Sequence, residues 1–314
     1  MSRSSLVFLL VLLVMAAAPW LGLYPVHLMN ILCWALFACA FHLLLGFGGL
    51  LSFGHAMFFG GAAYVSGYAM TAWHLGPALS ILAGTLAAAA VGLAAGAVAI
   101  RRQGIYFAMI TLALSQFVYF ALLQAPFTGG ENGLQDIPRG RLFGLLDLSN
   151  EMTMYYAVMV VFAAGYLGIA HIVRSPFGQV LIAIRENEPR AVSLGYRTER
   201  YKLGAFVLSA AIAGLAGATK ALVMGVVTLG DAHWHASGEV ILMTLVGGIG
   251  NLLGPVVGAV VIETLRSWLA ERLGAWVTVM MGLIFLACVI AFRKGIVGAF
   301  ESLRPKGATG DRAL

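Results

Sequence analysis

The sequence predicts an all-α, polytopic membrane protein of about ten transmembrane helices, some of them interrupted, and three observations predict it. Of its 314 residues 61% are hydrophobic and only 10% charged, more apolar surface than one soluble core can hide. Apolar stretches follow one another along the whole chain with short polar breaks between them. The basic residues gather in alternate breaks, as the positive-inside rule requires of a multi-pass protein. The net charge of +6 sits in short loops rather than in a patch interleaved with exposed aromatics, which reads as topology and not as nucleic-acid binding. Cys33, Cys39 and Cys288 fall inside apolar segments without metal-like spacing and read as small packing residues.

The elements follow in order. Met1–Ser5 carries one Arg and leads into Leu6–Ala18, whose Ala-rich end resembles a signal-peptide cleavage region. Hydrophobic segments continue at once, so this is read as an uncleaved first span. Trp20 and Tyr24 fit an outer interfacial belt, and His27–Leu45 returns to the inside. The glycine-rich run GFGGLLSFGHAMFFGGAAY at 46–64 leads to a span ending near Trp73. Pro77–Ile100 carries no charge and would be about 36 Å long as a helix, enough to cross with tilt. Arg101 and Arg102 mark its cytoplasmic end, and Ile105–Ala125 goes out again.

Pro126–Met152, with TGGENGL, is a polar outer loop, and Thr153–Val173 comes back. Leu203–Met224 leaves, Gly225–Ala236 is expected to lie outside, and the rest divides into Ser237–Leu253, Gly254–Ala270 and Gly274–Phe292. The whole of 1–314 is thus expected to be one transmembrane domain with both termini cytoplasmic and 293–314 as a cytoplasmic tail. Arg3, Arg101, Arg102, the six basic residues of 174–202, and Arg293, Lys294, Arg304, Lys306 and Arg312 then share one side. Arg139, Arg141, Lys220, Arg266 and Arg272 remain for the other. Merging 237–270 into one crossing would put Arg293 and Lys294 outside, against the charge rule.

The stretch 174–202, RSPFGQVLIAIRENEPRAVSLGYRTERYK, is the longest that cannot sit in lipid. Pro189 is suited to open a short helix and Gly195 to close it. Glu186 and Glu188 favour its N-terminal side through the helix dipole, Arg197 and Arg200 lie beyond its end, and Ala191 and Leu194 stand at i, i+3 on one face. A loop that only set topology would need a few positive charges and no bounded helix. The expectation is a cytoplasmic loop that docks another protein.

Gly92-x-x-x-Gly96, Gly214-x-x-Gly217, Gly250-x-x-x-Gly254 and Gly254-x-x-x-Gly258 allow close helix packing in lipid. Gly46–Gly49 and Gly247–Gly254 instead interrupt helices, which survives at membrane depth only against protein or a water-filled pathway. Ser52, Phe53 and His55 follow the first run; Ser237 and Glu239 precede the second, which contains Gly247 and Gly248. These seven residues are the candidate translocation pathway. The similar placing of the two runs within two five-helix halves suggests an inverted repeat.

A charge at the bilayer centre costs on the order of 2.5–3.5 kcal/mol, so intramembrane polar residues need a reason. His42, His55, Lys220, Glu239 and Glu263 are the candidates. Lys220 and Glu263 lie toward segment ends and read as snorkelling. His55 reads as a packing residue or a substrate ligand, and Glu239 as a favourable helix-start charge or as a residue of the pathway mouth.

GLLSFGHAMFFGGAAY at 49–64, RQGIYFAMITLALSQ at 102–116, TGGENGL at 128–134, SPFGQVLIAIRENEPRAVSLGY at 175–196 and SGEVILMTLVGGIGNLLGP at 237–255 together resemble the successive blocks of LivM-type permease subunits of branched-chain amino-acid ABC importers. The resemblance implies a LivH-type partner permease, two cytoplasmic ATPase subunits that carry ATP and Mg, and a soluble extracytoplasmic binding protein, in a bacterial inner membrane. It implies branched-chain amino acids as substrate, or a related small polar solute such as urea or an amide. It also implies that Arg185, Glu186, Asn187, Glu188, Pro189, Arg190, Ala191, Leu194 and Gly195 form the element coupled to the ATPase. Asn251 stands where that family usually has Thr.

The residues support this division of labour on their own. No G-x-x-x-x-G-K-[ST] loop occurs and no soluble segment is large enough for a nucleotide-binding domain, so the chain is expected to bind no cofactor and to carry no catalytic residue. An ion-coupled secondary transporter is the alternative, but it needs buried carboxylates in a relay, and most of the 13 acidic residues lie in loops. A membrane-embedded enzyme lacks H-E-x-x-H or any Ser–His–Asp set.

Overall fold

Prolines begin several of the helices, because a residue without an N–H costs nothing in a first helical turn. A computed structural model describes residues 11–142, 144, 146–291, 295, 296 and 298. Met1–Ser5, the start of the first expected span and all but three positions of the expected tail 293–314 lie outside them. From Val11–Leu21 (α1), the chain forms α2 (Pro25–His42), α3 (His55–Thr71), α4 (Pro77–Ala99), α5 (Ile105–Gln124) and α6 (Glu151–Arg174). There follow α7 (Pro176–Glu186), α8 (Glu188–Ser193), α9 (Thr198–Met224), α10 (Trp234–Gly247), α11 (Gly254–Leu273) and α12 (Val277–Ala291).

Five of these are long and apolar enough to cross a membrane: α2 with the turn that extends it to Phe47, α4, α5, α6 and α9. The protein is a helical, multi-pass membrane protein. The first and last of the five are 89% and 67% buried inside the protein, whereas α4, α5 and α6 are 28%, 22% and 33% buried. Helices α2 and α9 are therefore the axis of the bundle, and α4, α5 and α6 turn most of their apolar surface outward, as lipid-facing helices do.

Small residues set the packing. A side chain at Gly217 would strike the Phe59 carbonyl, one at Gly214 the Ala88 methyl, and one at Gly92 the Ala210 methyl, so α9 lies close against both α3 and α4. Helices α10 and α11 form a hairpin in which Gly247 meets the Gly254 carbonyl and Gly258 the Met243 carbonyl, and the hairpin lies along α2. Close approach is thus the role of most of the paired glycines; Gly250 alone among them has open space beside it.

Loop 126–150 carries a two-residue hairpin, β1 (Arg141–Leu142) on β2 (Leu146–Asp147), and an antiparallel bridge from Leu134 to Val227. Arg139 Nη2 donates to the Val223 carbonyl at 3.0 Å and so caps the carbonyl end of α9.

The segment after α9 departs from expectation. Val227 sits beside Gly67 of α3, but Ala232 packs backbone to backbone against Gly60, seven residues or about 10 Å further along the same helix. Gly225–Ala236 therefore dips into the bundle instead of lying outside it. It can do so because its one charge, Asp231, is ion-paired with Lys220, and its amides close local turns such as Ala232 N to Leu229 O. Helix α10, whose 14 residues span about 21 Å, is by itself too short for a hydrocarbon core of about 30 Å.

Candidate functional site: a projecting loop and two interrupted helices

The 174–202 stretch folds as expected at its centre and adds one helix. Asn187 Oδ1 accepts from the Arg190 amide at 3.0 Å and caps α8, Pro189 lies in its first turn, and Gly195 at φ +89° ends it in a conformation that favours glycine. The addition is α7, which was legible in Ser175-Pro176: the Ser175 hydroxyl caps it and Pro176 opens it. Glu186 therefore ends α7 rather than starting α8, and Arg197 and Arg200 belong to the start of α9.

The shared face expected of Ala191 and Leu194 is absent. Ala191 is buried, while Leu194, just past the helix end, is 68% exposed. Val192 and Leu194 are the most exposed large apolar side chains of the tip, beside the exposed Arg190, and Val192 was not singled out by the spacing. Glu188 turns inward too, pairing with Lys202 Nζ at 2.6 Å and accepting from Gln103 Nε2 at 2.8 Å, which braces α8 against α9 and the α4–α5 turn.

Arg185 also points back into the protein. Helix α2 widens into a π-turn at Leu43–Phe47, where Gly49 N bonds to Leu45 O and Leu50 N to Leu44 O. Arg185 Nη1 donates to the Gly46 carbonyl next in line, a cation on the carbonyl end of a helix. A side chain at Gly49, itself at φ +68°, would press on the aliphatic part of Arg185. One turn earlier, His42 Nε2 donates to the Ile249 carbonyl at 2.8 Å, in the glycine turn between α10 and α11. The projecting loop, the first interruption and the second interruption are thus joined by two side chains.

Between α2 and α3 the backbone of 48–54 is non-helical, and side chains satisfy the amides at its end and at the start of α3. Gly54 N donates to Ser52 Oγ and Phe53 N to Thr111 Oγ1, each at 3.2 Å, and Ala56 N donates to Ser237 Oγ at 2.8 Å. Ser52, Phe53, His55 and Ser237 therefore meet at the start of α3. His55 is fully buried among Phe41, Phe58 and Phe206, with Nε2 donating to Ser209 Oγ at 2.8 Å, which favours its packing reading. Gly247 and Gly248 lie at the far end of α10, within the hairpin turn.

Glu239 is apart from both groups. It pairs with Arg266 Nη1 at 2.8 Å; Glu263 on the same helix as Arg266 accepts from Asn30 Nδ2 at 3.0 Å and is 3% exposed. Glu263 therefore does not snorkel, and neither does Lys220, whose side chain is 15% exposed and tied to Asp231. Sequence reasoning missed Asn30 and Asp231 because each partner lies far off in the chain or across a loop expected outside.

Residues 27–289 match the family described as the branched-chain amino acid transport system / permease component. The chain belongs to this family. Among curated proteins it is similar to the high-affinity branched-chain amino acid transport system permease protein LivM of Escherichia coli (strain K12), at 29% identity, and to that of Salmonella typhimurium (strain LT2), at 30%. Each match covers 69% of this chain and 56% of the relative, so the chain spans a little over half the length of the curated relatives it matches first. It is also 30% identical to the ribose import permease protein RbsC of Bacillus subtilis (strain 168), over 54% of this chain and 52% of that one. No solved structure gives a significant match.

Proposed function

We propose that the chain is a membrane-spanning permease subunit of an ATP-binding-cassette importer that moves branched-chain amino acids or a related small polar solute such as urea or an amide. Family membership supports the class, and one structural observation supports the role: a braced helical loop that presents an exposed apolar tip and is wired by Arg185 to an interrupted helix. In this reading 174–202 docks in a cytoplasmic ATPase subunit, with Val192 and Leu194 as the apolar anchors. Two such ATPases carry ATP and Mg, a LivH-type permease completes the conduit, and an extracytoplasmic binding protein delivers substrate.

The assembly sits in a bacterial inner membrane with both termini cytoplasmic. The described helices support about ten crossings, with the descent through 225–233 completing the one that α10 alone is too short to make. Each five-helix half holds one interruption, 46–54 and 247–254, in keeping with an inverted repeat. Motion of the docked loop would pass through Arg185 to Gly46 and through His42 to Ile249, shifting both interruptions together.

The test is reconstitution of the complex with Val192→Asp and Leu194→Asp. The double variant should insert normally and lose about tenfold or more of ATP-driven uptake, the scale of losing a small anchor cluster. Normal uptake would refute the docking role. The chain alone should transport nothing; gradient-driven uptake by it would favour the ion-coupled alternative.

A further inference from the structure

Lys220 and Asp231 form an ion pair where a charge is expensive. Lys220 stands on α9 and lies over the Trp34 and Phe59 rings, at 5.2 and 5.5 Å from their centroids. Asp231 is carried by the descending segment that packs Ala232 against Gly60, in the second turn of α3. An ion pair is a poor pin at such depth, because apolar residues of similar volume would hold the segment as well or better. Such pairs at membrane depth more often mark a substrate path.

Three further features fit a site. The pair is not sealed: the Lys220 and Asp231 side chains keep 15% and 13% exposure. Its two halves sit on different kinds of backbone, one on a continuous helix and one on a short turn entered through Gly225 at φ +69°, so they can separate. Tyr64, one helical turn from Gly60 on the same face of α3, is 2% exposed and its phenol oxygen has no hydrogen-bond partner.

We propose that Lys220 and Asp231 are the two poles of a transient site for a zwitterionic amino acid, deepening the importer reading on which the proposal rests. The α-carboxylate replaces Asp231 on Lys220 and the α-ammonium replaces Lys220 on Asp231. Trp34 and Phe59 receive the apolar side chain, and Tyr64 supplies a further polar contact. Without substrate the pair closes on itself. Insertion of a zwitterion leaves each charge with an opposite partner and adds no net charge, so the desolvation cost of two isolated ions is never met. A neutral solute, an amine or a carboxylate alone cannot make that exchange.

The experiment uses the whole importer in nanodiscs and proteoliposomes, with L-leucine, leucinamide and 4-methylpentanoate as probes. L-leucine should perturb Trp34 fluorescence, read against a Trp34→Phe control, while leucinamide (no carboxylate) and 4-methylpentanoate (no ammonium) at the same concentration should not. Asp231→Asn and Lys220→Met should each weaken the leucine response by about tenfold or more, the scale of one lost charge-assisted contact. The exchanged pair, Lys220→Asp with Asp231→Lys, keeps the ion pair and the fold but reverses the poles, so leucine uptake should stay lost. Uptake restored to the wild-type level by the exchange would show a structural pin and overturn the proposal. So would equal responses to the three probes, or none to leucine. ATP-driven leucine uptake by the wild type with unchanged uptake by Asp231→Asn would overturn the site and leave the importer reading standing. Absence of ATP-dependent uptake by the wild type would sink the importer reading instead.

Discussion

Two loops of this protein each have one lysine–carboxylate pair at their base or within them, and they run in opposite directions. In 174–202, Glu188 and Lys202 brace the base of α8 so that Val192 and Leu194 project. In 225–236, Lys220 neutralises Asp231, the one charge of a segment that packs Ala232 against Gly60. The difference lies in what surrounds the pair. The first loop has many charges and could not enter lipid. The second has one, and once that is neutralised nothing prevents its burial. The same kind of pair thus accompanies a projecting loop at one end of the axis formed by α2 and α9 and an inward-packed segment nearer the other.

The contrast can be broken most severely at glycines. Gly60→Leu drives a side chain into the Ala232 backbone and should destabilise the protein by about 3 kcal/mol, the upper range for overpacking, or else expel 225–236. Thermal unfolding and thiol labelling of Ala232→Cys in that background would show which. Gly195→Ala, with open space beside it but φ at +89°, should cost only about 1 kcal/mol. Equal losses would mean that the second segment is not packed as described.

Glu188→Gln comes next. It leaves Lys202, 4% exposed, without its counter-charge and should cost up to about 3 kcal/mol, the lower end for a buried pair because the Glu188 side chain keeps 22% exposure. Because Glu188 stands behind the more exposed Val192 and Leu194, uptake per folded molecule should fall less than with Val192→Asp and Leu194→Asp.

Arg185→Ala removes a tie rather than a brace. Stability should change little, while substrate moved per ATP falls by about tenfold, within the usual range of coupling between sites. Simultaneous assay of ATP hydrolysis and uptake reads it directly. A proportional loss of both would make Arg185 a docking residue.

The arrangement was legible in the sequence where it rests on local rules. Apolar length located the long helices, Pro189 and Gly195 bounded α8, and the Gly46–Gly49 and Gly247–Gly254 runs marked real interruptions. Long-range pairing was not legible. Nothing near Arg185 indicates that its partner is the Gly46 carbonyl, and i, i+3 spacing put Ala191 and Leu194 on one face because it assumed a helix through Leu194, whereas α8 ends at Ser193. Ser237 drew attention as a polar residue at a helix start; the structure uses it to satisfy an amide of a different helix, Ala56 N.

The smallest expected effect lies in loop 126–150. Asp147 accepts from the Ser149 amide at 2.9 Å, and that bond first, then one with the Ser149 side chain, hold its carboxyl below the usual aspartate range. A depressed carboxyl stabilises the fold above the unfolded pKa, and the contribution is lost as pH falls through the lowered value. In an acid titration the advantage of wild type over Asp147→Asn should therefore hold steady above about pH 4, where unperturbed aspartates titrate, and shrink only below it.

The claim that 174–202 is a cytoplasmic handle is tested most directly by Leu194→Cys labelling in intact cells with a membrane-impermeant maleimide, alongside Leu146→Cys. The account predicts labelling at 146 and protection at 194 until the membrane is opened. Labelling at 194 from outside the cell would contradict it, because no cytoplasmic ATPase could then reach the loop.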